Sequence, residues 1–203
     1  IPTSQPSTST FTGPAWIVGG TNTTPQGCIQ YSLDKRTWVS TNNSLLNSVT
    51  SLLYVSSFSK WFAAGIPILS SSPVISSSDG INWTTCSITS SPITTMAYGS
   101  NALVLGSDTG KLFYSSDGLT FTLANLSLTS QITRIRYSNG QCCSFGKSDF
   151  TIVKSSDGIT WTRLMAFTNG VNDITYGQGK YVIAQEITAL PYTSGLIYST
   201  DGA

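Results

Sequence analysis

The stretches SSDGINWT (77–84), SSDGLTFT (115–122) and SSDGITWT (155–162) are near copies of one another. STDGA at 199–203 begins another copy, and a degenerate one, SLDKRTWV, occupies 32–39. The shared aspartates Asp34, Asp79, Asp117, Asp157 and Asp201 are therefore 45, 38, 40 and 44 residues apart. Periods of that size belong to solenoids and propellers.

A second phase of the repeat decides between the two. An apolar run ending in tyrosine precedes the later motifs: VTSLLY to Tyr54, ITTMAY to Tyr98, ITRIRY to Tyr137 and VNDITY to Tyr176. A short turn and a second apolar run follow each tyrosine, as KWFAAG, NALVLG, QCCSFG and KYVIAQ. GKLFYSS and SGLIYST supply a third run before the motif, and WT or FT opens a fourth after it. Four short strands per repeat, rich in β-branched and aromatic residues, describe a propeller blade. No segment carries a 3.6-residue period, so helix content should be close to nil. The expected fold is all-β, a β-propeller of four-stranded antiparallel blades with about five blades represented.

The motif has a physical logic. A carboxylate in a tight turn accepts hydrogen bonds from backbone N–H groups one to three residues on, and the following glycine takes φ > 0 without steric cost. A serine two positions earlier adds a hydroxyl. The aromatic at Trp38, Trp83, Phe121 or Trp161 should fold under the hairpin and bury a large apolar area against the sheet.

This pattern resembles the Asp-box, or bacterial neuraminidase repeat, of propellers in sialidases, sortilin-like receptors, xyloglucan hydrolases and photosystem assembly factors. The family pattern is Ser-x-Asp-x-Gly-x-Thr-Trp, and here one residue between Asp and Gly is missing. The resemblance covers almost everything after residue 15. It implies that the box acids are structural and sit on the blade periphery, away from the substrate face.

Composition excludes several functions. Only 9% of residues are charged and 39% are apolar, with ten Lys/Arg against nine Asp/Glu. No run of like charges marks a nucleic-acid or anionic-lipid partner, and no apolar stretch approaches the ~20 residues of a spanning helix. Residues 1–14 read as a Pro/Ser/Thr linker without the parts of a signal peptide, ahead of a propeller domain over 15–203. Cys28, Cys86, Cys142 and Cys143 lack metal-ligand spacing, and the chain has no histidine; no metal or cofactor is expected, and the thiols read as core residues. Sequons at Asn22, Asn42, Asn82 and Asn125 are unsurprising in a chain this rich in Ser and Thr.

Five of the nine acids are motif aspartates, leaving Asp108, Asp149, Asp173 and Glu186. Asp108 and Asp149 fall in turns between second and third strands, and Glu186 follows the YVIAQ strand. A glycosidase needs two carboxyls about 5 Å or roughly 6.5–9.5 Å apart. The sialidase resemblance would further imply an arginine triad, but of Arg36, Arg134, Arg136 and Arg163 the first and last lie in or beside boxes. Without histidine, a Ser-His-Asp or Cys-His mechanism is excluded within this chain. The expectation is that this chain is not an enzyme.

Three residues before each tyrosine stand Ser51, Thr95, Arg134 and Asp173, equivalent positions that should be neighbours around the central channel. Arg134 and Asp173 are expected to pair there and form the candidate binding site. The opening WIVGG reads as a second strand and STDGA stops inside a box, from which a continuing polypeptide with further blades is expected, the alternative being a closed five-bladed ring with a ragged seam. The functional expectation is a non-catalytic structural or interaction module bound to protein partners, displayed on a virion, a tail fibre or an extracellular assembly. The alternatives are a glycan-binding propeller using Trp16, Trp61 or Tyr192 against sugar faces, and part of a larger glycosidase.

Overall fold

The computed structural model describes residues 16–21, 29–41, 45–69, 71–89, 91–146, 151–167, 170–185 and 195–200. Outside them lie the linker, Cys28, Asn22, Asn42, Asp149, Glu186, Tyr192 and Asp201.

Among the described residues, eighteen strands form five antiparallel sheets. The first holds β1 (Trp16–Gly19), β2 (Ile29–Ser32) and β3 (Val39–Ser40). The second runs β4 (Leu46–Val55), β5 (Lys60–Pro67), β6 (Val74–Ser77) and β7 (Thr84–Thr85). The third has β8 (Ile93–Gly99), β9 (Ala102–Ser107), β10 (Lys111–Ser115) and β11 (Thr122–Ser127). In the fourth are β12 (Ile132–Ser138), β13 (Gln141–Gly146), β14 (Thr151–Ser155) and β15 (Thr162–Ala166). The fifth has β16 (Val171–Gly177), β17 (Lys180–Gln185) and β18 (Leu196–Ser199). Every strand pairs with its sequence neighbour, which is the meander of a propeller blade. A 3₁₀ turn, Ser56–Phe58, interrupts the β4–β5 hairpin. Elsewhere that hairpin is closed by two residues at positive φ, Ser100-Asn101, Asn139-Gly140 and Gln178-Gly179, the type I′ geometry that matches strand twist.

Successive sheets stack face to face. β8 packs on β4 and β5, β12 on β8 and β9, and β16 on β12 and β13. The first strands thus form a continuous inner row. Because side chains alternate across a strand, each sheet feeds two cores. Leu103 and Leu105 of β9 join Phe62 and Val74 of the second sheet, while Ala102 and Val104 join Ile132, Cys142 and Trp161 of the fourth. Two further cores lie between the first and second and between the fourth and fifth sheets. Alternation also sends adjacent Cys142 and Cys143 into different cores. Cys86, Cys142 and Cys143 are free, buried thiols. Burial raises all three pKa values, with Cys142 pushed up to about 12, the nearby Cys143 and Asp157 charges adding to burial, and Cys143 to about 11.

The motif aromatics require a correction. Trp161 is 1% exposed, Trp83 and Phe121 are half-buried, and Trp38 is 38% exposed. Trp161 does sit under its own turn, its indole N–H donating to Gly158 O at 3.2 Å, but the described aromatics are buried only where a preceding sheet completes the core. Trp161 enters the core between the third and fourth sheets, Phe121 packs on that between the second and third, and Trp83 on that between the first and second. Among the described residues no sheet precedes the first, so Trp38 has nothing to enter.

Candidate functional site

The inner row is built around one irregularity repeated in every complete first strand. A bulge falls at Thr50, Thr94, Thr133 and Asn172, where the register to the second strand slips by one residue. An extra residue bends the strand and re-aims its side chain. Thr50 Oγ1 donates to Ala64 O of its own sheet at 3.1 Å and to Ile93 O of the next at 2.6 Å. Thr94 repeats this with Gly106 O and Ile132 O, and Thr133 donates to Phe145 O. The position after the bulge continues the pattern. Ser51 Oγ accepts the Met96 N–H at 3.1 Å and Thr95 Oγ1 accepts the Ile135 N–H at 3.3 Å, each reaching the following sheet.

In the fourth and fifth sheets this position carries Arg134 and Asp173. Arg134 Nε lies 3.9 Å from Asp173 Oδ1, the outer limit of an ion pair. The hydrogen bonds come instead from Arg136, with Nε to Oδ1 at 3.2 Å and Nη2 to Oδ2 at 3.1 Å. Arg134 and Arg136 are opposite Phe145 and Cys143, both on the side facing the fifth sheet. The two-residue spacing of ITRIRY was the signal that could have found Arg136. Burial pushes the Asp173 carboxyl upward, but the Arg136 and Ile174 hydrogen bonds and the charges of both arginines outweigh it and hold it low. The result is an exposed cluster with one carboxylate and two guanidiniums. The fork of Arg134 makes no hydrogen bond among the described residues.

The motif aspartates are committed to their turns. In the fourth sheet Ser155 Oγ donates to Asp157 Oδ1 at 2.8 Å, and the N–H groups of Ile159 and Thr160 reach the same oxygen at 2.8 and 2.7 Å. Asp34, Asp79 and Asp117 repeat this, and their second oxygens take a side-chain donor from Thr37, Asn82 and Thr120. Backbone bonds led by Thr37 hold Asp34 at about 2, and those led by Thr160 hold Asp157 at about 2. The Thr120 and Leu119 N–H groups depress Asp117 further, and at Asp79 burial pushes upward but the hydrogen bonds from Asn82 and Ile81 outweigh it and hold the carboxyl low.

The remaining candidates are scattered. Asp108 is exposed in the β9–β10 turn, with its N–H on Pro92 O. Arg36 is exposed within the first Asp turn and Arg163 on β15. Trp61 leans on Tyr54, with ring centroids 4.9 Å apart, and Lys35 Nζ sits 4.2 Å above the Trp16 ring. Asn125, which composition had marked only as a sequon, is an inter-sheet clamp. Its side-chain amide accepts the Trp161 N–H at 2.8 Å and donates to Trp161 O at 3.2 Å.

No protein-family model and no curated protein matches this sequence. Among solved structures the chain resembles the computationally designed Ika8 protein, at 14% identity and TM-score 0.60 over 83% of this chain and 55% of that one. It resembles YCF48 bound to D1 peptide at 13% identity and TM-score 0.57, over 82% and 58% of the two chains. A third likeness is to the GH74 enzyme of Niastella koreensis, at 13% identity and TM-score 0.55, over 91% of this chain and 29% of that chain. The chain thus spans little more than half the length of the first and second of these proteins and under a third of the enzyme, and what it shares with them is the β-propeller fold.

Proposed function

We propose that this chain is a non-catalytic interaction propeller of the Asp-box type, displayed on a virion, a tail fibre or an extracellular assembly, and that it binds a protein partner through its inner row. The observation that carries this reading is the commitment of five of the six carboxylates among the described residues, Asp108 being the other. Asp34, Asp79, Asp117 and Asp157 accept backbone and hydroxyl hydrogen bonds that hold them ionised. A general acid must instead carry a proton near the working pH, which takes a raised pKa. Asp173 is ionised between two arginines. Exposed polar strands and buried, unreactive thiols suit display. The open fork of Arg134 offers planar donors to a carboxylate or a backbone carbonyl, and the peptide in the YCF48 structure supports a propeller face as a protein-binding surface.

The test is a panel of fluorogenic glycosides, including a sialoside and xyloglucan oligosaccharides, together with a glycan array. The expected result is no turnover and no glycan retained. Turnover would overturn the reading, and micromolar binding of a glycan class would replace the protein partner with a carbohydrate.

A further inference from the structure

The inner row follows a rule, and the fourth sheet departs from it. At the position after the bulge, Ser51 and Thr95 each accept a backbone N–H of the following sheet, from Met96 and Ile135. Arg134 holds that position in the fourth sheet, and the equivalent N–H is that of Ile174. A guanidinium has no acceptor. The Ile174 N–H is satisfied instead by Asp173 Oδ1 of its own strand, at 2.9 Å. A hydroxyl in place of Arg134 could have made this clamp between sheets, so the repeat here gives up a structural bond and sets an exposed charge in its place. Departures of that kind collect at functional sites.

The charge of the row is concentrated at the same point. Within β4, β8, β12 and β16 the charged residues are Arg134, Arg136 and Asp173, and two cations against one anion leave one positive charge uncompensated. Arg136 takes both Asp173 oxygens, with Nε on Oδ1 at 3.2 Å and Nη2 on Oδ2 at 3.1 Å. Oδ1 also accepts the Ile174 N–H, which leaves Arg134 Nε at 3.9 Å and its side chain 47% exposed. Arg136 is thus a positioning residue. By occupying the carboxylate it keeps the planar donors of Arg134 open.

We propose that Arg134 anchors a binding site for the side-chain carboxylate of an aspartate or glutamate on the protein partner, and that the Arg136–Asp173 pair holds this site open. The proposal rests on the reading of the inner row as a protein-binding surface and names the chemistry that surface selects. A carboxylate fits because it meets a guanidinium with two parallel N–H···O bonds and compensates the remaining charge. A backbone carbonyl compensates none. The rest of these four strands presents uncharged side chains, so this one point sets which segment of a partner binds and in what register.

The test titrates the full chain, its nitrogens isotope-labelled, with acetyl-Gly-Glu-Gly-amide and with the neutral acetyl-Gly-Gln-Gly-amide. The arginine Nε–H signals in the NMR spectrum, assigned by single substitution, report the contact. The Glu peptide should shift the Arg134 signal saturably, with Kd on the order of millimolar, while those of Arg36 and Arg163 stay still. The Gln peptide should shift none of them. Arg134→Gln should weaken binding, read at the Arg136 signal, by at least about 3-fold. Arg136→Lys keeps the net charge but gives up the two-point hold on Asp173, which can then turn to Arg134, and should weaken the Glu peptide by a similar factor. Unchanged binding in that variant would reduce the site to a diffuse charge effect and overturn it, as would an equal response to the two peptides or none to either. If acetyl-Gly-Gln-Gly with a free C-terminus bound as well as the capped Glu peptide, the side-chain source would be overturned in favour of a chain terminus. A null titration beside an inert glycoside panel defeats the carboxylate site and leaves the interaction propeller standing, whereas glycoside turnover defeats the reading beneath it.

Discussion

Gly158→Ala should be among the costlier single-methyl additions in this fold, because that glycine meets two demands at once. Its φ of 74° lies in the left-handed region, where a residue with Cβ costs roughly 1–2 kcal/mol. The added methyl would also meet Ala102 Cβ at 2.9 Å and Val104 Cγ2 at 3.0 Å, in a core that cannot easily give way. Overpacking of that kind costs about 1–3 kcal/mol, and the stiffer unfolded chain returns only about 0.4–1 kcal/mol. The net loss is about 2–4 kcal/mol, or a fall in Tm of roughly 5–15 °C for a chain of this size. Urea unfolding followed by tryptophan fluorescence reads it, since Trp161 lies in the same core. Gly140→Ala separates the two causes, because Gly140 has φ 73° but nothing within 4 Å of its added Cβ. It should lose only about 1 kcal/mol, the backbone cost alone. Equal losses at the two positions would refute the close approach of the fourth sheet's turn to the third sheet, and with it the interface logic of the repeat.

Lys35→Gly relieves a positive φ of 66° but surrenders backbone entropy and the lysine–Trp16 contact, so stability should change by no more than about 1 kcal/mol in thermal unfolding. Thr94→Val strands Gly106 O and Ile132 O together and should cost about 1–2 kcal/mol; an unchanged urea midpoint would deny the inter-sheet clamp. The turn aspartates have folded pKa values below their unfolded value near 3.9, so the stability they contribute is present above about pH 4 and lost as pH falls toward 2. Urea midpoints should hold level down to that point and then drop, and a flat profile to pH 2.5 would contradict the turn geometry. Cys86, Cys142 and Cys143 should resist iodoacetamide in the native state at pH 8 and label fully in urea, as read by peptide mass mapping.

Much of the blade was legible because its determinants are local. A serine, an aspartate and a glycine within four residues close the turn with bonds that span at most three positions, as Ser155, Asp157 and Gly158 do. Strand order followed from the same economy, since every strand pairs with its sequence neighbour. The candidate site was legible only in part. Equivalent positions in the repeat brought Arg134 and Asp173 within 3.9 Å, yet the shorter contacts belong to Arg136. Two arginines on one strand face reach a carboxylate on the next sheet, and a choice between them turns on the angle at which the sheets meet.

The sequence by itself determined the turns, the alternation and the four-strand unit, all of which act over a few residues. Only the tertiary structure decided where each apolar face goes. Trp38 and Trp161 occupy the same place in the motif, and one is exposed while the other is among the most buried side chains, because burial depends on whether a neighbouring sheet stands against it. For the same reason Asn125 is a clamp and Leu196 is exposed. Burial is settled by packing between sheets about forty residues apart, and a repeat describes each sheet without saying which of them has a neighbour.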